Sequence, residues 1–185
     1  INIASTRSGL LGQVQRLIGI SKTENTLPKY LLLENVKNLV GKKFRGQFEA
    51  WVKWLDSVGY NTYYKVLNGK NYGIPQNRER IFAISIRKDV DDNGFTFPET
   101  ITLKNRIKNV LEKNVDEKYY LPDERIEKIL NLTSQSNKKQ QKEPIIYDDY
   151  NSRISSDQNA INTLTRRYGP TCVPRCIFQR RSLII

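Results

Sequence analysis

Pro28-Lys29-Tyr30-Leu31-Leu32-Leu33-Glu34-Asn35-Val36 is the stretch from which the rest of the chain is read. Tyr30 to Leu33 form an apolar run with no polar alternation, the pattern of a strand buried on both faces of a parallel sheet. The run stops at a carboxylate. In open α/β sheets the ligand crevice lies beyond the carboxyl ends of the strands, which places Glu34 and Asn35 at its mouth. The bland alternative is that Glu34 only marks the exit of the strand into solvent.

A second stretch, Asn71-Tyr72-Gly73-Ile74-Pro75-Gln76-Asn77-Arg78-Glu79-Arg80-Ile81, sets an amide and two guanidinium groups at every second position. Residues two apart in extended chain share a face, so Gln76, Arg78 and Arg80 are expected to converge on a planar, acceptor-rich ligand such as a base or a phosphate. A solvated basic edge strand is the competing reading. Around these stretches, Leu10, Leu11, Val14, Leu17 and Ile18 predict a helix ending at Gly19. Phe48, Trp51, Val52, Leu55 and Val58 predict another, closed by Gly59. Strands are expected at Asn61 to Leu67 and Ile81 to Ile86. Strand, helix, strand, turn, strand is the second half of a doubly wound α/β sheet with an antiparallel ending.

The chain has 185 residues, a formal charge of +12 and pI near 9.7, so a polyanion is the first partner to consider. Residues 1–90 carry 15 Lys/Arg and 6 Asp/Glu, net +9, against 16 and 13, net +3, in 91–185. The positive excess therefore accompanies the two motifs. Lys42, Lys43 and Arg45, just past the proposed crevice, form a candidate phosphate-contacting loop, with a solvated basic loop as the alternative. With no histidine and only Cys172 and Cys176, no metal site is expected. No membrane span or signal peptide is expected either, which suggests a soluble, cytoplasmic protein. The chain starts at Ile1 and contains no methionine, so it is expected to be a piece of a longer protein.

Beyond Lys88 a turn is expected at Asp89 to Gly94, then short helices around Leu103 to Leu111 and Ile126 to Leu130. A flexible loop is expected over 131–144, and short strands at Ile145 to Tyr150 and Ala160 to Thr165.

The two motifs together resemble the cytosine C5 DNA methyltransferase family. Glu34-Asn35-Val36 matches its Glu-Asn-Val motif and Gln76-Asn77-Arg78-Glu79-Arg80 its Gln-x-Arg-x-Arg motif. Leu67-Asn68 and Tyr72-Gly73-Ile74-Pro75 are similar as well. Thr6-Arg7-Ser8-Gly9-Leu10 is similar to the segment that opens a helix beside the methyl donor. The resemblance implies the second half of an S-adenosylmethionine-dependent methyltransferase sheet, a partial catalytic domain over 1–90. A small irregular target recognition region over 91–185 would follow. It implies a flipped-out cytosine in duplex DNA as substrate and a bacterial restriction-modification or phage setting. Glu34 then matches the acid that shares a proton with N3 of cytosine, with burial against Leu33 and Val36 expected. Asn35 would hold the local backbone, and Arg80 would donate to the O2 side of the base. Leu10 would line the adenine of the donor, and Gln76 and Arg78 would organise the turn and nearby phosphates. Asn162-Thr163-Leu164-Thr165 resembles the Thr-Leu-Thr of target recognition regions, which assigns Thr163 and Thr165 to DNA.

The family's Phe-x-Gly-x-Gly donor loop and Pro-Cys-Gln nucleophile loop have no counterpart in the 185 residues. Thr171-Cys172-Val173-Pro174-Arg175-Cys176 has neither the order nor the position of the latter. The chain alone is therefore expected to be inactive, with a missing N-terminal half as a partner. A non-catalytic nucleic-acid-binding remnant and a transfer RNA cytosine methyltransferase remain as alternatives.

Overall fold

Leu11 and Ile18, seven residues apart, give the helix α1 (Gly9–Thr23) the face it turns to the core, where Ile18 is buried and Leu11 packs beside it. The helix does not end at Gly19 as expected. One internal glycine costs only about 1 kcal/mol, and the end comes where Thr23 Oγ1 bonds back to the Gly19 and Ile20 carbonyls, 3.0 Å each. Asn25, at φ 54°, then reverses the chain into the strand β1 (Tyr30–Val36). A short 3-10 turn, Lys37–Val40, leads to α2 (Arg45–Val58). Its stripe Phe48, Trp51, Leu55 and Val58 is buried, and Gly59 closes it at φ 118°, its N–H donating to the Leu55 and Asp56 carbonyls. β2 (Tyr60–Asn68) starts at the next residue.

This computed structural model describes residues 9–112, 116, 122–134, 145–148, 153–154, 160–162, 177–179 and 182–184. It divides into two units, Ile1–Leu67 with Glu79–Glu99, and Asn68–Arg78 with Thr100–Ile185.

In the first unit, after the two-residue β3 (Gln76–Asn77), β4 (Glu79–Arg87) inserts between β1 and β2 to give the order β1-β4-β2. β1 and β4 are antiparallel, with Leu31 opposite Ser85 and Leu33 opposite Ala83. Lys88 N donates to Gly59 O, and Thr62 Oγ1 lies 2.9 Å from Ser85 Oγ, so β4 also runs against β2. β1 and β2 therefore point the same way, joined through α2, which is an α/β arrangement with an antiparallel strand inserted. Ile18, Trp51, Leu55, Val58 and Tyr60 form the core on one face, with Leu31 and Leu33 against it.

The expectation that β1 is buried on both faces is not met. Tyr30 and Leu32, on the opposite face, are 62% and 67% exposed. The second face of the sheet is covered near β2, where the Tyr63 ring meets Phe95 at a tilt and Phe95 meets Phe97 edge to face, at ring separations of 5.3 and 5.1 Å. The turn after β4 is fastened to β2 by Asp91, whose carboxylate accepts from Asn61 Nδ2 (2.7 Å) and Tyr63 Oη (2.8 Å). These donors hold the Asp91 carboxyl below the usual carboxylate range, and the same bond pushes the Tyr63 phenol up. Arg87 clamps Asp89 with two bonds, 2.6 and 2.8 Å, which lowers the Asp89 carboxyl, and its Nη1 donates to Leu27 O. Burial raises the Tyr60 phenol, which donates to Pro28 O at 2.7 Å.

In the second unit β3 pairs in parallel with β7 (Ile161–Asn162), and Ile161 of β7 is buried together with Ile107. The helix expected over Leu103 to Leu111 is reduced to a 3-10 turn at Ile107–Asn109, with Ile107 buried beside Ile161 and Leu111 packed against the pair. α3 (Asp123–Ser134) carries the next expected helix, and takes in 131–134 of the segment expected to be a loop. Residues 135–144 lie outside the described residues. β5 (Ile145–Asp148), β6 (Arg153–Ile154), β8 (Ile177–Gln179) and β9 (Ser182–Ile184) form a sheet of order β6-β5-β8-β9.

Candidate active site

The register of β1 on β4 sets Glu34 opposite Phe82 and Val36 opposite Arg80, on the sheet face away from α1 and α2. Arg80 reaches across and back along the strand, and its Nε lies 3.1 Å from Glu34 Oε1. Its Nη1 donates to Glu79 O at 2.8 Å, which fixes the plane of the guanidinium. Glu34 is therefore not buried between Leu33 and Val36 as expected. Its side chain is 46% exposed, because the open face of β1 points it outward, whereas Arg80 is 20% exposed. Asn35 Oδ1 accepts from Val36 N at 2.8 Å and pins the backbone where the strand ends. The arrangement presents a carboxylate oxygen and guanidinium donors side by side at the end of a strand, open to solvent.

A second ion pair flanks the first. Lys37 Nζ sits 2.9 Å from Glu79 Oε2 and 3.0 Å from Oε1. Sequence reasoning passed over Glu79 as a filler inside the Gln-x-Arg-x-Arg pattern. The pairing of β1 with β4, which no local pattern encodes, is what brings it to Lys37.

The alternation of Gln76, Arg78 and Arg80 does not survive as one extended face. Arg78 breaks the strand between β3 and β4, where its backbone N–H donates to Asn68 Oδ1 at 3.1 Å. Asn68 also accepts from Lys70 N (3.3 Å) and donates to Asn77 Oδ1 (2.6 Å), so one amide organises the whole turn. Gly73 at φ 84° completes it. Gln76 and Arg78 thus belong to the second unit, and Glu34, Asn35 and Arg80 to the first. Within the second unit Asn77 faces Asn162, and Ile161 N donates to Pro75 O at 3.0 Å. The strand leading toward Thr163 and Thr165 therefore starts against the motif turn, while those two threonines lie outside the described residues.

Lys42, Lys43 and Arg45 are exposed on the turn before α2 and at its first residue. Lys43 Nζ stands 5.3 Å from the Phe44 ring centre, and Arg45 Nε is 3.8 Å from Glu49 Oε1. A Cβ at Gly41 would lie 2.8 Å from Asn38 Oδ1, a side-chain end that can swing aside, and 3.1 Å from the Asn38 carbonyl oxygen. Leu10 is placed in the first turn of α1, which holds no acidic residue, and Thr6 to Ser8 lie outside the described residues.

A family model described as C-5 cytosine-specific DNA methylase matches residues 2–181. The chain belongs to that family. Among its methylase relatives, the type II methyltransferase M2.ScrFI of Lactococcus lactis subsp. cremoris is 44% identical over 123 residues, 66% of this chain and 32% of the relative. The orphan methyltransferase M.SssI of Spiroplasma monobiae is 39% identical over 115 residues, 62% of this chain and 28% of the relative. The chain thus spans about a third of the length of the curated relatives it matches. In fold it is similar to the Entamoeba histolytica methyltransferase EhMeth, with TM-score 0.52 and 21% identity, over 68% of this chain and 37% of that one.

Methylases of this family use S-adenosylmethionine, which supplies an electrophilic methyl group when bound. Of the segment assigned to the donor by resemblance, Gly9 and Leu10 are described, at the start of α1. Among the described residues no cluster of metal-ligating side chains occurs, and no helix is long and apolar enough to cross a membrane.

Proposed function

We propose that this chain is the base-holding part of a DNA cytosine-5 methyltransferase, the part that receives a flipped-out cytosine and manages protons and charge on its ring. The observation that carries the reading is the Glu34–Arg80 pair, 3.1 Å apart on an open face at a strand end. A cytosine edge offers N3 and an amine to one side and O2 to the other. Glu34 shares a proton with N3 as a nucleophile adds to C6, and accepts from the exocyclic amine. Arg80 donates to O2 and offsets charge there. Asn35 keeps the strand end in place through Val36 N.

Lys42, Lys43 and Arg45 contact phosphates, which position the duplex without reading its sequence. Gln76 and Arg78 hold the motif turn and a neighbouring phosphate, while Thr163 and Thr165 contribute to target recognition. Leu10 lines the adenine of the donor. The catalytic part spans 1–90 and the recognition region 91–185, and the thiolate nucleophile comes from outside these residues. The setting is a bacterial or phage cytoplasm.

A chimera tests this reading. The chain replaces the segment it matches in the Lactococcus lactis relative, and tritium transfer from S-adenosylmethionine is measured on duplex DNA and on transfer RNA. Transfer into DNA cytosine is expected. A folded chimera without transfer overturns the reading, and transfer into transfer RNA alone replaces DNA with RNA as substrate.

A further inference from the structure

Glu79 is bound twice at the border of the candidate site, once through its backbone and once through its side chain. Its carbonyl accepts from Arg80 Nη1 at 2.8 Å, and its carboxylate oxygens lie 2.9 and 3.0 Å from Lys37 Nζ. The register of β1 on β4 runs from Tyr30 opposite Ile86 to Val36 opposite Arg80, and the residues one step beyond that last pair are Lys37 and Glu79. Alternation along β4 sets Glu79 on the face opposite to Arg80. The ion pair therefore prolongs the cross-strand contact by one residue, where the backbone ladder ends and Arg78 breaks the strand. This distinguishes Lys37 from the other basic groups that follow β1. Lys43 lies over the Phe44 ring and Arg45 near Glu49 of its own helix, whereas Lys37 reaches another strand.

We infer that Lys37 is a positioning residue: it holds the Glu79 carboxylate, thereby the Glu79 carbonyl, and through that carbonyl the plane of the Arg80 guanidinium. The inference rests on the function proposed above. With no base bound, Arg80 Nε is engaged by Glu34 Oε1 at 3.1 Å. A cytosine edge needs both of these groups, so their bridge loosens as the base enters. The bond from Nη1 to the Glu79 carbonyl is then the hold that keeps the guanidinium aimed, and the guanidinium moves as one rigid plane. That carbonyl belongs to the first residue of β4, and strand ends are where fraying begins. Lys37 ties this end to β1, whose own last residue, Val36, is pinned by the Asn35 amide at 2.8 Å. Both strand ends are thus fastened beside the Glu34–Arg80 pair. The competing role for Lys37 is a phosphate contact, for which its ammonium would first have to give up both oxygens of Glu79.

The test uses Lys37→Ala, Glu79→Gln and the exchanged pair, Lys37→Glu with Glu79→Lys. In the 185-residue chain the Arg80 Nε–H is followed by nitrogen-15 magnetic resonance, its signal identified by its loss in Arg80→Lys, and its exchange with solvent is timed. Each single substitution should speed that exchange severalfold, and the exchanged pair should slow it again. In the chimera, single-turnover methylation at saturating DNA should fall about tenfold or more in the single variants, a misplacement of about 1 Å being worth up to about 10²-fold. The exchanged pair should recover most of the rate. DNA affinity and melting temperature should hold, since an ion pair with side chains 57% and 44% exposed adds little to stability. Lys88→Ala breaks a 2.8 Å pair with Asp56 just past the far end of β4 and should alter neither the Arg80 exchange nor the rate. Three results overturn the inference: Arg80 exchange indifferent to both single substitutions, an exchanged pair no better than either of them, or a Lys37→Ala chimera that binds DNA more weakly with a smaller salt dependence and an unchanged saturated rate. The last makes Lys37 a phosphate contact. A folded, unmodified chimera without transfer sinks the proposed function instead, and the Arg80 exchange then decides the positioning role by itself.

Discussion

Replacing Glu34 by Gln separates a catalytic carboxylate from a structural one, because the two roles predict opposite balances of stability and rate. At the observed 3.1 Å, the gross attraction to Arg80 is about 5 kcal/mol at an effective dielectric of 20 and about 1.3 kcal/mol in water. With Glu34 46% exposed, solvent screening and the cost of ordering two side chains remove most of that, leaving a net contribution under about 1 kcal/mol. Gln keeps an oxygen acceptor for Arg80 Nε, so Glu34→Gln should lower the unfolding free energy of the chain by less than about 1 kcal/mol, read by denaturant titration. In the chimera, single-turnover methylation at saturating DNA should fall by roughly 10²–10⁴, since an amide cannot pass a proton to N3. That loss corresponds to about 3–5.5 kcal/mol of barrier, several times the stability change. A stability loss above about 3 kcal/mol would make the pair structural. An unchanged rate would falsify the proton-transfer role.

Leu55, 0% exposed at the centre of the helix–sheet core, should cost about 2–5 kcal/mol when truncated to Ala, seen as a lower denaturation midpoint with an unchanged slope. Asp89 and Asp91 both have lowered folded-state values, so their stabilisation is complete above the unfolded-state value of about 3.9 and is lost as pH falls through the lower folded-state values. Melting temperature should drop on that acid limb, and Asp91→Ala should flatten it; an unaltered limb refutes the Asp91 clasp. Lys42→Ala should weaken DNA binding alike on all sequences and reduce the slope of log affinity against log salt by about 1, measured by fluorescence anisotropy. A sequence-dependent loss would move Lys42 from phosphate to base contact.

α2 could be read in full from sequence, since its apolar stripe and the Gly59 cap are local signals and the structure uses both. The strands β1, β2 and β4 were also legible, as was the antiparallel ending of the sheet. Burial of β1 was not. An unbroken Tyr30–Leu33 run states that both faces are apolar, but what covers each face depends on partners distant in sequence. The core takes only Leu31 and Leu33. The same limit hid the Lys37–Glu79 pair, which exists through strand register alone. The alternation at Gln76, Arg78 and Arg80 misled for a local reason: the Asn68 amide takes the Arg78 N–H, and Arg78 falls between the two strands that hold Gln76 and Arg80. Within α1, spacing marked five apolar positions but could not say that Leu17 is 54% exposed.

Both tryptophans of the chain lie on α2, three residues apart, Trp51 buried and Trp54 packed against the same cluster. Indole emission is therefore a report from one helix and the sheet face beneath it. A fluorescence melt follows the loss of the first unit and is blind to the second, whereas far-ultraviolet circular dichroism sums both. If the two curves separate, their difference isolates the unfolding of the second unit without a label or an added chromophore.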